Sequence, residues 1–467
     1  MTNTATAAPD YGPAGEAKLR AFVEGLTGGT VKRMERLVRW RPAWRVDVVV
    51  ADASADAGAE RGEKTLCLHL RGDRGGDVSI FPELQREADV IEVLGANGIN
   101  VPHIYGVCQD PPCILMAAIS GSRDMSTAAS DAERAALARE YISEVAAMHR
   151  LPVAGFVAKG VQLPQGAQEI ALAGLTAYLP LYQRTKSRPE PMLEFVLGWI
   201  RRNVPQHRTR AAFIQFDSGQ FLHQNGKISG LYDFEFSMIG DPMVDLATMR
   251  MRESIEPLCA DFQLLCKHYE EFSGEPVDIG VVDFHTLLFA TISTMQFTGT
   301  VGKPRPGDAH SVYLEFDLAL RQVVLLTLSK LMGVKLVAEP APHARVGDNA
   351  SVLTQLADTV ARIETTSPTE QTRQDSAAQL IEWLVRGDAF GPEMRARDLA
   401  DVEALLGQRF DEWSDASAAL EAHVMAVGPQ HDAALLHLFA AIEGRRLLIY
   451  GPTRIGHSAM HVNQPTS

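Results

Sequence analysis

The sequence predicts an α+β protein: a small sheet-rich N-terminal unit with one helix, a larger and mainly α unit, and a C-terminal helical domain. Three observations predict it. Strand-like segments crowd the first 120 residues, with an apolar-periodic helix placed after the third strand. From Ala132 onward helical periodicity dominates, interrupted by one strongly strand-like segment at 212–232. A Pro-rich break, AEPAPHA at 338–344, reads as a linker before a last helical stretch. A chain of 467 residues also exceeds what one compact core usually holds.

Taken in order, residues 1–15 are small, polar and Pro/Gly-containing, and are expected to be disordered. Leu19, Phe22, Val23 and Leu26 then recur at helical spacing within 16–27. Val31–Val38 and Arg45–Val50 read as strands joined by Arg39-Trp40-Arg41-Pro42-Ala43-Trp44. After a polar stretch at 51–62 come a strand at Thr65–Arg71, a Gly/Asp loop and a helix from Pro82 to Leu94. Pro82 suits a first helical turn, and Leu84, Ala88, Ile91 and Leu94 form one stripe. Ile104–Val107 and Cys113–Ala118 read as two more strands. The expected units are therefore 16–120, 121–337 and 345–450, with a loose tail at 451–467.

Composition narrows the function classes. Apolar content of 46% and charged content of 22% are those of an ordinary globular protein. A formal charge of −14 argues against nucleic acid as a partner. No run of about 18 apolar residues occurs, so no membrane span is expected. The N-terminal stretch lacks the basic start and apolar stretch of a signal peptide. Five scattered cysteines, Cys67, Cys108, Cys113, Cys259 and Cys266, argue for a reducing compartment, hence the cytoplasm. Cys108 and Cys113 have no second pair at zinc spacing, and buried free thiols are the better reading.

The informative segment is FIQFDSGQFLHQNGKISGLYDFEFSMIGDPMVDLATMR, residues 213–250. Asn225-Gly226 predicts a two-residue hairpin turn, because both positions need positive φ. The expected register sets Gln224 opposite Lys227, Phe221 opposite Gly230 and Gln220 opposite Leu231, with Asp233 beside Ser218 and Gly219. Asp217, Gln220 and Asp233 then converge at the open end of one hairpin, since cross-strand neighbours lie roughly 5 Å apart. Two carboxylates and an amide there suit a hard cation such as Mg²⁺ and a proton acceptor. Phosphoryl transfer needs a positioned hydroxyl, a carboxylate to take its proton, and cations against the phosphate oxygens. Taken alone, a hairpin with polar ends and no ligand accounts for the same residues. Asp241-Pro242 signals a helix start, with Asp245 one turn on. In the first third, Arg71 ends a strand and Glu87 lies on the next helix; by themselves they read equally as a surface ion pair.

These motifs resemble those of the aminoglycoside phosphotransferase and choline kinase group of the protein-kinase-like superfamily, over about residues 30–335. That family's metal-binding segment reads Asp-aromatic-Glu, Gly-Asp-Pro and Asp-Leu-Ala. Here it is Asp233-Phe234-Glu235, Gly240-Asp241-Pro242 and Asp245-Leu246-Ala247. Its catalytic loop, His-Gly-Asp and then Asn, is similar to Gln215-Phe216-Asp217 and Gln220. LHLRGD, LQREADVIEVL, GINVPHIYG and AAMHRLPV fit as well. The resemblance implies a bilobal kinase-like fold, with 16–120 as the nucleotide-binding lobe and 121–337 as the catalytic lobe.

It also implies roles. Asp217 would position and deprotonate an acceptor hydroxyl. Asp233 and Gln220 would hold Mg²⁺, and Arg71, kept in place by Glu87, would bind the ATP phosphates. Residues 116–119, with Met116 and Ala118, would form the hinge facing adenine. Asp245 would brace the catalytic loop, and Glu235 would lie near metal or substrate. Three departures stand out. His-Gly has become Gln215-Phe216, with two residues missing before Gln220. The usual Lys is Arg71, whose planar fork still suits phosphate. The first hairpin lacks glycines, so Arg39 or Arg41 would contact phosphate in place of backbone N–H groups, or else simply form a basic tip. His149, ending a helix, suits packing, and His223 lies inside the hairpin.

The implied activity is ATP-dependent phosphorylation of a hydroxyl on a small molecule. Tyr178, Tyr182, Phe195, Trp199, Phe284, Phe289 and Phe297 populate the segments where the family's acceptor pocket lies. That favours a hydroxylated metabolite or hydroxyacyl thioester over an aminoglycoside, which would call for more acidic residues. The competing reading is a nucleotide-binding pseudokinase, suggested by the altered catalytic loop. Residues 345–450 leave a homodimer or a helical cap open.

Overall fold

The computed structural model describes residues 9–37, 41–51, 62–73, 80–81, 83–253, 257–304, 310–343 and 345–451. The expectations placed on residues 1–8, Val38, Arg39, Trp40, Pro82 and the tail from Pro452 lie outside the described residues. The chain opens with α1 (Pro13–Thr27), β1 (Thr30–Arg36), β2 (Ala43–Ala51), β3 (Glu63–Gly72), α2 (Leu84–Ala96), β4 (Ile104–Gln109) and β5 (Pro112–Ala117). It continues with α3 (Asp131–His149), α4 (Ala154–Ala158), α5 (Gly166–Ala171), α6 (Ala173–Thr185) and α7 (Pro191–Arg202). Then follow β6 (Ala212–Ile214), β7 (Phe221–Gln224), β8 (Lys227–Leu231), β9 (Met238–Gly240), α8 (Met243–Arg252) and α9 (Phe262–Ser273). The helices α10 (Ile279–Gly302), α11 (His310–Met332), α12 (Ala350–Ala361), α13 (Pro368–Leu406), α14 (Trp413–Ala426) and α15 (Asp432–Tyr450) complete the fold.

Two compact units group these elements. One comprises Met1–Ala173, Arg208–Met249 and Glu256–Val277; the other comprises Gly174–His207, Arg250–Ile255 and Asp278–Ser467. The first contains an antiparallel five-stranded sheet of order β1-β2-β3-β5-β4. Trp44, Val46, Leu68, Leu70 and Leu115 from the sheet and Leu19 and Val23 from α1 form one core. Alternation along β2 and β3 puts every second side chain on that face. α1 begins at Pro13, so the last residues of the expected disordered segment are helical; Pro in the first turn and left-handed Gly28 at the end fix its limits.

The β7–β8 hairpin departs from the simple register. Gln224 pairs with Lys227 across the turn, and Asn225 and Gly226 both have positive φ, at 52° and 70°. His223 pairs with Ile228 but Leu222 with Gly230, so Ser229 is an extra residue and the strand bulges. Phe221 therefore lies opposite Leu231, not Gly230, and the Gln220 carbonyl accepts from Tyr232 N–H at 3.2 Å, one residue beyond the expected partner. A further short pair, β6–β9, carries no strand expectation at 238–240.

The second unit is helical. The Pro-rich stretch before α12 has no regular structure, yet it does not separate the units: 174–207 and 278–337 group with the C-terminal helices. Packing explains this. Phe195 of α7 stacks on Phe439 of α15 at 5.6 Å, and Arg321 of α11 pairs with Glu443 of α15. Tyr178, Tyr182, Phe195, Trp199 and Phe284 are all buried. Phe289 and Phe297 are half-buried, and Phe297 stacks on Phe316. No described helix is long and apolar enough to cross a membrane.

Candidate active site

The first unit gathers the sequence-predicted residues from three places. Arg71, at the end of β3, pairs through Nε with Glu87 of α2 at 3.1 Å, and through Nη2 with Asp233. Arg41, just before β2, turns inward. Its guanidinium lies 3.3 Å from Glu87 and 3.1 Å from Glu235, and the side chain is only 8% exposed. It is neither a basic hairpin tip nor a solvent-facing cation. Two guanidiniums thus face three carboxylates, Glu87, Asp233 and Glu235, and among the described residues no group of three or more His, Cys, Asp or Glu side chains is arranged to hold a metal by itself. Burial alone would lower the Arg71 pKa; Asp233, Glu87 and Glu235 together hold it well above the ordinary value.

The loop between β6 and β7 carries Asp217. Gln220 donates from Nε2 to the Asp217 carboxylate at 3.1 Å and to its carbonyl at 3.2 Å, so the two side chains point together. Asp245, fully buried in the first turn of α8, accepts N–H from Gln215 at 2.9 Å and from Phe216 at 2.8 Å. His149, at the end of α3, bonds the same carboxylate at 2.9 Å through Nε2 and Tyr269 at 2.8 Å through Nδ1. Phe216 has φ 70°, a conformation that is an outlier for a bulky residue. It stands where the resembling motif has Gly, and its two flanking peptide contacts to Asp245 help maintain it. Asp233 also has positive φ, at 67°. Such strain concentrates at functional sites.

Several supporting residues carried no sequence signal of their own. The Tyr141 hydroxyl accepts Gly219 N–H at 2.5 Å and lies 2.6 Å from Ser218 Oγ. Burial pushes its pKa up to about 12, so it stays a neutral donor and acceptor. Its place in an apolar stripe of α3 disguised it as core. Arg123 donates to the Gly219 carbonyl at 2.8 Å and stacks over Phe221. Arg86, one residue before Glu87, donates to the Ser237 carbonyl at 2.5 Å, tying α2 to the stretch after Asp233. Burial lowers its pKa to about 10. Arg208 forks onto Asp241 at 2.8 and 3.0 Å, and Asp241 also caps Met243 N–H.

Other predicted positions are placed differently. Met116, in β5, is buried. Ala118 N–H donates to the Cys67 carbonyl at 3.0 Å, so that donor is not available to a base. His223 bonds the Asp124 carbonyl at 3.1 Å and so fastens the 122–127 turn to β7. Cys108 and Cys113 are buried thiols, Cys113 pushed up to about 12 by burial. Cys67 and Cys259 are exposed.

Residues 76–275 match the phosphotransferase enzyme family. That match spans less than half of the chain. One solved structure agrees on the fold. A protein from Ralstonia eutropha JMP134 assigned to the aminoglycoside phosphotransferases superposes with a TM-score of 0.52 at 16% identity, covering 68% of this chain and 99% of that one. A macrolide 2′-phosphotransferase from Brachybacterium faecium is similar at 16% identity and TM-score 0.44, over 65% of this chain and 97% of its own. Among curated proteins, none matches this sequence. The matched region includes Glu87, Asp217, Gln220, Asp233, Glu235 and Asp245, while Arg41 and Arg71 precede it.

Proposed function

We propose that this phosphotransferase moves a phosphoryl group from Mg²⁺-bound ATP to a hydroxyl of a small molecule, with Asp217 as the base. The observation that carries the reading is the pair of adjoining contacts Asp217–Gln220 and Glu87–Arg71–Asp233 in one unit. Oxygen donors in excess over cations fit Mg²⁺, and Arg71 fits phosphate oxygens. Asp233 and Gln220 Oε1 would hold the metal, which when bound screens the charge of the transferring phosphate. Arg71 would bind phosphate while Glu87 fixes its guanidinium, and Arg41 would lend the same carboxylates a second positive charge. Met116 would flank the adenine, and the Ala118 carbonyl would be left to accept from a base.

Asp217 would take the hydroxyl proton, oriented by Gln220 Nε2. Asp245, with His149 behind it, would hold the Gln215–Phe216 backbone so that Asp217 stays in reach. For the acceptor we favour a hydroxylated metabolite, hydroxyacyl thioesters included, over an aminoglycoside. The segments 165–200 and 250–335 are rich in aromatic and apolar residues, of which Phe289 and Phe297 are half-buried and Tyr178, Tyr182, Phe195, Trp199 and Phe284 are core, whereas a polycationic drug calls for clustered acids.

The test is ADP release with Mg²⁺ and ATP across a panel of hydroxylated metabolites, acyl thioesters and aminoglycosides. Asp217→Asn should bind ATP but turn over at least a thousandfold more slowly, in the range removal of a catalytic base produces. Asp233→Ala should lose Mg²⁺-dependent nucleotide binding as well. Near-normal turnover in either variant would refute the assignment. A wild type that binds nucleotide yet phosphorylates no acceptor would favour a pseudokinase.

A further inference from the structure

The helical unit contains a cavity of about 390 Å³, distinct in its residues from the site above. That volume falls within the range of small-molecule sites, roughly 300–1,000 Å³. It lies among the segment before α7 and helices α11, α13, α14 and α15; Arg188–Met192 fall within the matched range 76–275, and the other lining residues lie beyond it. Its walls are largely apolar and aromatic, with Trp413, Phe439, Ile442 and Tyr450.

The charged groups divide into two sets. The lining carboxylates are already engaged, each by two arginines. Glu190 holds Arg188 and Arg321, both at 2.7 Å. Glu443 holds Arg321 at 3.1 Å and Arg446 at 3.4 Å. Asp398 holds Arg445 at 2.8 Å and Arg395 at 3.6 Å. Arg321 is in turn fully used, with Asp317 at 3.0 Å on its Nε. Arg188 and Arg395 are different. Arg188 binds Glu190 through Nε alone, and Arg395 makes no hydrogen bond to a described residue. The Arg395 guanidinium instead lies over the Trp413 ring, 4.7 Å from its centroid, and the side chains of Arg188 and Arg395 are nearly half exposed. A guanidinium has five N–H donors in a planar fork that matches a carboxylate or sulfonate. Among the charged side chains of the cavity the unused capacity is therefore cationic and donor-only, set beside an apolar interior and the hydroxyls of Ser414 and Ser417.

We infer that this cavity binds an organic acid: one anionic head held by Arg395 and Arg188, and an aromatic or branched apolar body against Trp413, Phe439 and Ile442. A cation is disfavoured because each lining carboxylate already carries two guanidiniums. The site does not depend on the reading of the phosphotransferase centre.

The test titrates the full chain with 8-anilinonaphthalene-1-sulfonate, with and without saturating Mg²⁺-ATP. The expected result is one saturable site, unaffected by ATP, with tryptophan-to-probe energy transfer that falls in Trp413→Phe. Arg395→Gln should weaken binding at least tenfold while circular dichroism and the thermal midpoint stay unchanged, since that side chain is half exposed and its only ion pair among the described residues, to Asp398 at 3.6 Å, leaves Asp398 held by Arg445. 1-Naphthoate should displace the probe and 1-naphthalenemethanol should not. Unsaturable binding, displacement by ATP, or equal affinity in Arg395→Gln would each overturn the inference.

Discussion

Asp245→Asn tests whether the loop carrying Asp217 is held in place by one buried carboxylate. Asp245 accepts three hydrogen bonds, two from the backbone of Gln215 and Phe216 and one from His149 Nε2, all at 2.8–2.9 Å. Asparagine has a single acceptor oxygen and would turn an NH₂ group toward one of those donors. At about 1.5–3 kcal/mol for a charge-assisted bond, and with a buried donor left opposed, the loss should be about 2–4 kcal/mol. Phe216 adds to this, because its left-handed backbone is unfavourable without support. Freed of the clamp, the loop would relax and displace Asp217, which lies one residue further on. A displacement on the order of 1 Å costs roughly a hundredfold in rate. Steady-state ADP release should thus show kcat down about a hundredfold, with little change in the Kd for ATP. Urea unfolding should show a lower midpoint at unchanged slope. A variant with kcat within about threefold of wild type and the same midpoint would refute the clamp.

Three further outcomes are expected. Glu87→Gln removes the carboxylate shared by Arg41 and Arg71; isothermal titration should show ATP binding weakened about tenfold or more, by analogy with one lost charge-assisted pair. Gly226→Ala should destabilise by about 1 kcal/mol in urea unfolding, because the residue has φ 70° and an added Cβ would lie 3.1 Å from Glu133 Oε1. The helical unit should lose stability in acid. Burial alone would raise the carboxyls of Glu190 and Asp317, but Arg321 outweighs it and holds both below their ordinary values of 4.5 and 3.8. Their contribution is complete above those values and is lost as pH falls through the lower folded-state values. Asp398 works in the opposite sense: raised to about 6 by burial, it favours the fold more as pH drops from 6 toward 4. The readout is therefore the difference between wild type and Glu190→Gln in thermal midpoint, which should shrink below about pH 4.5.

Local order along the chain was determined by sequence. The five strands of the first sheet and α2 are written in alternating and helical apolar patterns, and Asn225-Gly226 wrote the hairpin turn through its demand for positive φ. The hairpin register brought Asp217, Gln220 and Asp233 toward one end because the chain between them is short, whereas the bracing role of Asp245 came from the resemblance to the phosphotransferase motif. Tertiary structure decided what depended on distant partners. The bulge at Ser229 shifted the register by one. The inward turn of Arg41 required Glu87 and Glu235, 46 and 194 residues away. Tyr141 looked like core because a hydroxyl leaves no mark on apolar periodicity. The grouping of 174–207 with the C-terminal helices, and the cavity they enclose, arose from side-chain complementarity between α7, α11 and α15, which no single stretch of sequence contains.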